Sequence, residues 1–281
     1  MSDYEFRFGG LARLYGSEAM HHLKHAHVSV IGIGGVGSWA VEALARSGVG
    51  ALTLVDLDEV CISNINRQIP ALQETVGRAK VDVMAERVRS IHPGCTVHCL
   101  HEFLTETSID RILDEFQGRQ GRWVIDAIDS SPNKCNLALG CMKRSLELII
   151  SGAAGGRQDP TRIRITDLAE VTHDRLLADL RRRLRRAPGF DGGRRNWSLP
   201  TVHSPETPRQ PECEGGRPSS GRSETPQRIN CQHGYGSATY VTGVFGFTAA
   251  GYVIGRICQG VSDSDMRQTP KTLPRRQAGG K

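Results

Sequence analysis

Gly32, Gly34 and Gly37 stand in the spacing Gly-x-Gly-x-x-Gly, with Gly35 between them, and Asp56 follows about 20 residues on. Glycines in that spacing let an anionic phosphate approach the backbone, and a helix opening at the last glycine presents free amides to it. A carboxylate closing the next strand can accept bonds from both hydroxyls of a ribose. The turn implies nucleotide binding without separating a dinucleotide from ATP. The following stretch, DLDEVCISNINRQ (56–68), separates them. Where a dehydrogenase continues into another helix, this chain gives Asp58 and then Asn64, Asn66, Arg67 and Gln68, so amides and a guanidinium cluster beside the phosphate turn. Arg67 suits charge-assisted bonds to phosphate oxygens. Lys80, in GRAKVD, adds a second cation, which fits a triphosphate better than a pyrophosphate bridge; standing alone it would read as a solvated helix lysine. Asp129, in DAIDS (126–130), can hold Mg2+ through oxygen, because magnesium takes few protein ligands when phosphates supply the others. The competing role is a helix N-cap formed by Asp129 or Ser130.

The elements that must position these residues are legible in the periodicity. HVSVIGIGG (27–35) is a β-branched run ending in glycines, a buried strand. Trp39, Val41, Leu44 and Ala45 then recur at helical spacing, and ALTLVDLD (51–58) is a second strand. Further strands are expected at 95–100, 122–129, 146–151 and 162–166. Helices are expected from Ser17 as a cap, over 75–91 with a stop at His92-Pro93, and over 108–116, 133–145 and 172–186. Strands alternating with helices predict an α/β fold, a Rossmann-like, mostly parallel sheet with helices on both faces. Residues 1–186 read as the nucleotide-binding domain with an N-terminal helical segment. The stretch 187–228, rich in Pro, Gly, Arg and Ser, reads as a flexible insert. Residues 229–260 return to the same domain, and 261–281 form a polar, disordered tail.

The chain has 281 residues, 38% hydrophobic content and a net charge of +6, so part of it is expected to lie outside any packed core. Its eight cysteines form no Cys-x-x-Cys pair and fit neither a zinc ribbon nor a disulfide framework. With no apolar leader at the N-terminus, they point to a reducing cytoplasm. Cys61, Cys135 and Cys141 read as core, Cys213 as exposed and Cys231 as buried and inert. His21, His22, His25 and His27 read as surface residues. The segment 235–255 carries no charge, but its threonines and glycines favour a buried helix; peripheral or integral membrane association is the lesser alternative. Arg181, Arg182, Arg183, Arg185 and Arg186 cluster against few acids, a pattern that suits nucleic-acid phosphates. The competing reading is a solvated basic helix face.

In their order, GIGGVGS, DxDxV, SNxNRQ, the GRAK lysine and DAIDS resemble the adenylating domain of the ThiF/MoeB/HesA superfamily, relatives of ubiquitin-activating enzymes. The resemblance implies activation of a carboxylate by ATP. It implies that Asp56 binds ribose, that Asn64, Arg67 and Lys80 serve the phosphates, and that Asp129 attends Mg2+. It further implies that an N-terminal arginine, Arg13 with Arg7 as second candidate, reaches a partner subunit's triphosphate, hence a homodimer. The expected nucleotide-binding set is Gly32, Gly34, Gly35, Gly37, Asp56, Asp58, Asn64, Asn66, Arg67, Gln68 and Lys80. The expected catalytic groups are Arg67, Lys80, Asp129 and Arg13. Members that activate a sulfur carrier typically hold zinc on two Cys-x-x-Cys pairs, which this chain lacks, so no zinc is expected.

RFGGLARLYG (7–16), WAVEALARSGVG (39–50), SGAAGGRQDPTRIRITDLAE (151–170) and NCQHGYGSAT (230–239) are similar to a narrower, tRNA-modifying group of that superfamily. The likeness covers about 5–186 and 229–258; within 187–228 only VHSPE (202–206) matches. That group dehydrates threonylcarbamoyladenosine beside the anticodon. The implied reaction adenylates the side-chain carboxylate, closes a ring by internal attack with net loss of water, and releases AMP and pyrophosphate. The implied partners are tRNA and the proteins of a sulfur relay, a cysteine desulfurase and its acceptor. The alternatives are adenylation of the C-terminal glycine of a small sulfur-carrier or ubiquitin-like protein, a non-catalytic nucleotide-binding scaffold and, remotely, a dehydrogenase.

Overall fold

The computed structural model describes residues 2–118, 122–192, 197–209 and 235–260. Two helices, α1 (Asp3–Tyr15) and α2 (Ser17–His25), precede β1 (His27–Ile31). There follow α3 (Gly37–Arg46), β2 (Ala51–Val55), α4 (Lys80–Ile91), β3 (Thr96–Leu100), α5 (Ile109–Gly118), β4 (Trp123–Asp126), α6 (Ser131–Lys143) and β5 (Glu147–Ser151). The last part holds β6 (Arg164–Asp167), α7 (Arg175–Leu184), β7 (Pro200–His203) and α8 (Thr239–Cys258). The seven strands form one sheet in the order β3-β2-β1-β4-β5-β7-β6, parallel throughout except for the β6–β7 pair. This is the α/β sheet the alternating pattern predicts.

Every residue of β1 is buried, as a central parallel strand covered on both faces requires. The order of strand addition reverses at β1, with β2 and β3 on one side and β4 and β5 on the other. A crevice therefore opens at the carboxyl ends of β1 and β4, where such sheets bind ligands. The register sets Ile31 beside both Val55 and Asp126. Gly32, Asp56 and Ala127 thus leave the sheet at one level.

Four elements differ from expectation for identifiable reasons. α1 was not legible as a helix because Gly9-Gly10 interrupts its pattern. A capping box starts it: Ser2 N donates to Glu5 Oε2 at 2.7 Å and Glu5 N to Ser2 Oγ at 3.2 Å. Ser17 is the first residue of α2 and not its cap; Gly16, at φ +90°, takes the cap position in a conformation that side chains disfavour. α4 begins at Lys80 and not at 75, because a turn through Gly77 is tied to Val60 by two backbone bonds of 2.9 and 2.8 Å. β7 lies inside the stretch expected as a loop, since a four-residue strand shows no readable period. It inserts between β5 and β6, with Trp197 and Leu199 buried ahead of it. Residues 193–196, 210–234 and 261–281, which include Cys213 and Cys231, lie outside the described residues.

α8 is long and apolar enough to cross a membrane, yet Val241, Phe245, Ala249 and Val253 are buried against the domain. Its closest neighbour is α3. A Cβ on Gly246 would stand 2.5 Å from the Val36 carbonyl oxygen, so the two helices meet backbone to backbone there. Gly251 faces open space. Gly246→Ala is expected to destabilise the fold by about 1–3 kcal/mol. Gly251→Ala is expected to be neutral or stabilising by up to about 1 kcal/mol. Urea midpoints of the two variants check this; equal midpoints would refute the packing argument.

Candidate nucleotide site

The turn after β1 is built on two glycines that no other residue can replace. Gly32 has φ +90°, and a Cβ there would lie 2.8 Å from the Ala127 carbonyl oxygen. A Cβ on Gly37 would lie 1.8 Å from the Gly32 carbonyl oxygen. Gly34 and Gly35 form the rim: a Cβ on Gly34 would meet only Gln68 Nε2, at 3.9 Å, whereas one on Gly35 would stand 3.3 Å from Thr242 Cγ2 and 3.6 Å from Arg67 Cγ. The Ser38 hydroxyl donates to the Gly34 carbonyl at 2.7 Å and fixes the first turn of α3 beneath the rim.

Asp56 is buried beneath this turn. Its Oδ2 accepts from Ile33 N at 2.6 Å and its Oδ1 from Asp58 N at 2.9 Å. Each oxygen keeps a lone pair, so the carboxylate can brace the turn and still take a ribose hydroxyl. Burial raises its pKa, opposed by the two backbone donors and by Lys80. Lys80 is not a solvated helix lysine. Its side chain is 6% exposed and its Nζ lies 2.8 Å from Oδ2 of Asp58, which is 53% exposed. The Lys80 N–H also donates to the Asp58 carbonyl, at 3.0 Å.

The SNINRQ segment divides into bracing and display. Asn64 Oδ1 accepts from Cys61 N at 3.1 Å and closes a 3-10 turn over Ile62–Asn64. Asn66 has both ends of its amide engaged: Nδ2 donates to the Ser237 carbonyl at 2.9 Å and Oδ1 accepts from Arg67 Nη1 at 2.9 Å. Arg67 Nη1 also donates to Ser63 O at 2.7 Å, while its carbonyl accepts from Trp39 Nε1 at 3.1 Å and Thr242 Oγ1 at 3.2 Å. The guanidinium is thereby aimed while Nε and Nη2 carry no bond among the described residues. Gln68 is buried, and its Oε1 has no partner there. Trp39, Thr242 and the stretch entering α8 were missed by sequence reading; nothing local marks residues that approach from far along the chain.

Asp129 stands exposed at the mouth of the crevice with no partner among the described residues. Ser130 holds the N-cap position of α6, and no side chain makes the cap bond, so the capping role is not realised. Beneath Asp129, Asp126 and Lys134 form an ion pair of 2.9 Å, both side chains 0% exposed. Burial raises the Asp126 pKa, against the attraction of Lys134. Lys134 was missed because a lysine in the first turns of a helix looks solvated.

α1 is anchored by Tyr4, whose hydroxyl donates to Gly48 O at 2.8 Å, and by Phe8, both at the amino end of β2 and away from the glycine turn. Arg13 is exposed and carries no ion pair among the described residues. Arg7 is engaged with Asp3 at 2.7 Å.

Of the clustered arginines, Arg181 turns inward and donates to the carbonyls of Leu168 at 3.1 Å and Val171 at 2.6 Å. Arg185 lies over the Trp197 ring, 5.2 Å from its centroid. Arg182 and Arg183 share Asp179. With Arg186 they line an open hollow of about 280 Å³. VHSPE is structural: Glu206 accepts from Gln158 N and Asp159 N at 3.1 Å, and His203 is buried, its pKa pushed down to about 4 by desolvation. Two further expectations are corrected. Cys61 is exposed, and the Ser63 hydroxyl, 3.2 Å from its sulfur, lowers its pKa. His27 is buried in β1 with Nε2 2.8 Å from Thr53 Oγ1. Cys135 and Cys141 are buried. No group of three or more metal-binding side chains assembles among the described residues.

The switch-point crevice, the glycine turn, buried Asp56 beneath it and the cations Arg67 and Lys80 beside it are the features of a nucleotide-binding α/β protein of the adenylating type. The chain belongs to the ThiF family, whose model matches residues 10–260. It is 42% identical over 258 residues to the tRNA threonylcarbamoyladenosine dehydratase of Haemophilus influenzae, covering 92% of this chain and 95% of that protein. Crystal structures of the E. coli tRNA N6-threonylcarbamoyladenosine dehydratase in complex with ATP and with AMP each superpose with a TM-score of 0.80. Each is 40% identical and covers 92% of this chain and 97% of that one.

The raised Asp56 pKa has a consequence for binding. In the ribose role Asp56 would accept most strongly when ionised, and its burial makes protonation begin at a higher pH than for an ordinary aspartate. Nucleotide affinity is therefore expected to fall on acidification with a midpoint above the ordinary aspartate range. Asp56→Asn is expected to weaken binding about tenfold to a hundredfold at neutral pH and to flatten the acid limb. Calorimetric titration with ATP from neutral to acid pH checks both; an unchanged acid limb in the variant would remove Asp56 from the ribose role.

Proposed function

We infer that this chain is an ATP-dependent tRNA threonylcarbamoyladenosine dehydratase. The observation that carries the reading is its near full-length likeness to dehydratases of that name, with the glycine turn, Asp56, Arg67 and Lys80 grouped at one crevice. A carboxylate is a poor electrophile. Attack of one carboxylate oxygen on the α-phosphorus of ATP expels pyrophosphate and leaves an acyl-adenylate. An internal nucleophile of the same side chain then attacks the acyl carbon, AMP departs with the carboxylate oxygen, a proton is released, and a ring remains. The net loss from the nucleoside is one water.

The residues divide the work. The amides of the turn and of α3 hold phosphate, Asp56 holds ribose, and Arg67 and Lys80 neutralise charge gathering on the phosphates. Asp129 supplies an unpaired hard oxygen where a magnesium–phosphate complex needs one protein ligand, so the donor chemistry fits Mg2+. The metal supplies further charge neutralisation when bound. Ring closure is intramolecular, so positioning provides much of its rate. Arg13, lying on a helix anchored away from its own turn, serves the crevice of a second copy in a homodimer. Arg182, Arg183 and Arg186 face the tRNA backbone, and the protein works in the cytoplasm.

Incubation with ATP, Mg2+ and tRNA bearing threonylcarbamoyladenosine is expected to yield a nucleoside lighter by one water, with AMP released. No mass change would overturn the reading and direct attention to carrier proteins ending in Gly-Gly. Arg67→Ala and Lys80→Ala are expected to lower AMP formation at least about a hundredfold while the fold persists. Mixed Arg13→Ala and Lys80→Ala subunits are expected to regain part of the activity, which inactive mixtures would exclude.

The arginines separate by role. Joint replacement of Arg182, Arg183 and Arg186 by alanine is expected to raise the KM for tRNA about tenfold and to flatten its salt dependence. Arg181→Ala is expected to lower the melting temperature and leave that KM in place. Kinetics across a salt series, with thermal melts, check the division.

A further inference from the structure

The Asp126–Lys134 ion pair is the most costly polar feature beside the crevice. Both side chains are 0% exposed, with Lys134 Nζ 2.9 Å from Asp126 Oδ1. Asp126 Oδ2 is buried with no partner among the described residues. Two ions removed from water to this extent seldom repay the loss in stability, and replacement by neutral groups of like volume is often neutral or stabilising. Such a pair calls for a role beyond stability.

Its position supplies one. Asp126 ends β4, and Oδ1 also accepts from Ile128 N at 3.0 Å, which fixes the first bend after the strand. Ala127 N donates to Ile31 O at 2.9 Å. Lys134 lies one turn inside α6, where its N–H donates to Ser130 O at 2.9 Å. Its side chain reaches back to Asp126 Oδ1, with the Asp126 carbonyl 3.5 Å from Nζ. The arc 127–130 is thus closed at its base, its entry held by the carboxylate and its exit by the helix that carries the ammonium. Asp129 stands on that arc, exposed, and nothing else described orients it.

We propose that Asp126 and Lys134 are positioning residues that hold the 127–130 arc so that the Asp129 carboxylate meets the divalent cation on the nucleotide phosphates. This rests on the placement of Mg2+ at Asp129 made above. The pair touches neither nucleotide nor metal and acts through Asp129 alone. Partners that orient a ligand commonly set metal affinity by tenfold or more.

The test uses the full chain with Lys134→Met, the double variant Asp126→Asn/Lys134→Met, and Asp129→Ala. ATP binding is followed by calorimetry in EDTA and across stepped Mg2+, alongside thermal unfolding. The double variant leaves no buried charge, and an amide at 126 still accepts the Ile128 N–H. In EDTA, the two Lys134 variants are expected to bind ATP within about twofold of the parent. Each is expected to need about tenfold more Mg2+ for the half-maximal effect on binding. A folded double variant with the parent's Mg2+ midpoint, while Asp129→Ala shifts it, would overturn the proposal and leave the metal placement intact. An unshifted midpoint in Asp129→Ala would overturn both. Failure of both Lys134 variants to fold would assign the pair to the fold as a whole and also overturn the proposal.

Discussion

Backbone lies directly on backbone where β1 and β4 leave the sheet. Gly32 presses on the Ala127 carbonyl and Gly37 on the Gly32 carbonyl, distances at which no Cβ fits. That approach narrows the turn, starts α3 at the rim of the crevice and aims its free amides outward. It also sets the level of everything else, because the parallel register brings Asp56 and Ala127 out beside the turn. The crevice is an arrangement of strand exits before it is an arrangement of side chains.

Around that contact the polar groups fall into two kinds. Some are buried and brace the backbone: Asp56 under the turn, Asn64 over its 3-10 turn, Asp126 with Lys134 under the next loop. Others remain at the surface with unbonded polar atoms among the described residues, part of the Arg67 guanidinium and Asp129, while Lys80 lies buried against half-exposed Asp58. A low-dielectric base makes the bracing bonds strong and any unpaired member costly, so the displayed groups inherit a rigid frame. The same division runs through α7, where Arg181 closes carbonyls inside while Arg182, Arg183 and Arg186 remain at the surface.

Much of this was legible in residue order. The strand–helix alternation predicted the sheet, the glycine spacing predicted the turn, and SNINRQ with GRAK separated a triphosphate site from a dinucleotide one. What escaped has a common cause. Lys134 reads like any helix lysine until tertiary packing buries it. Thr242 reaches the Arg67 carbonyl from across the domain, and β7 is too short to show a period. Asn66 matched a phosphate ligand by type, yet its amide joins Arg67 to the stretch entering α8.

Residue types and local spacing therefore determined which groups could bind a nucleotide and which elements would carry them. Glycine conformation, strand hydrophobicity and charge type act over a few neighbouring residues, and those are printed in the chain. Tertiary structure alone decided which charges are buried: Lys80 and Lys134 read alike in the chain, and folding buries both, one against half-exposed Asp58 and the other against fully buried Asp126. Burial and pairing depend on segments that meet only after folding, and a charge changes its role when water is removed from around it.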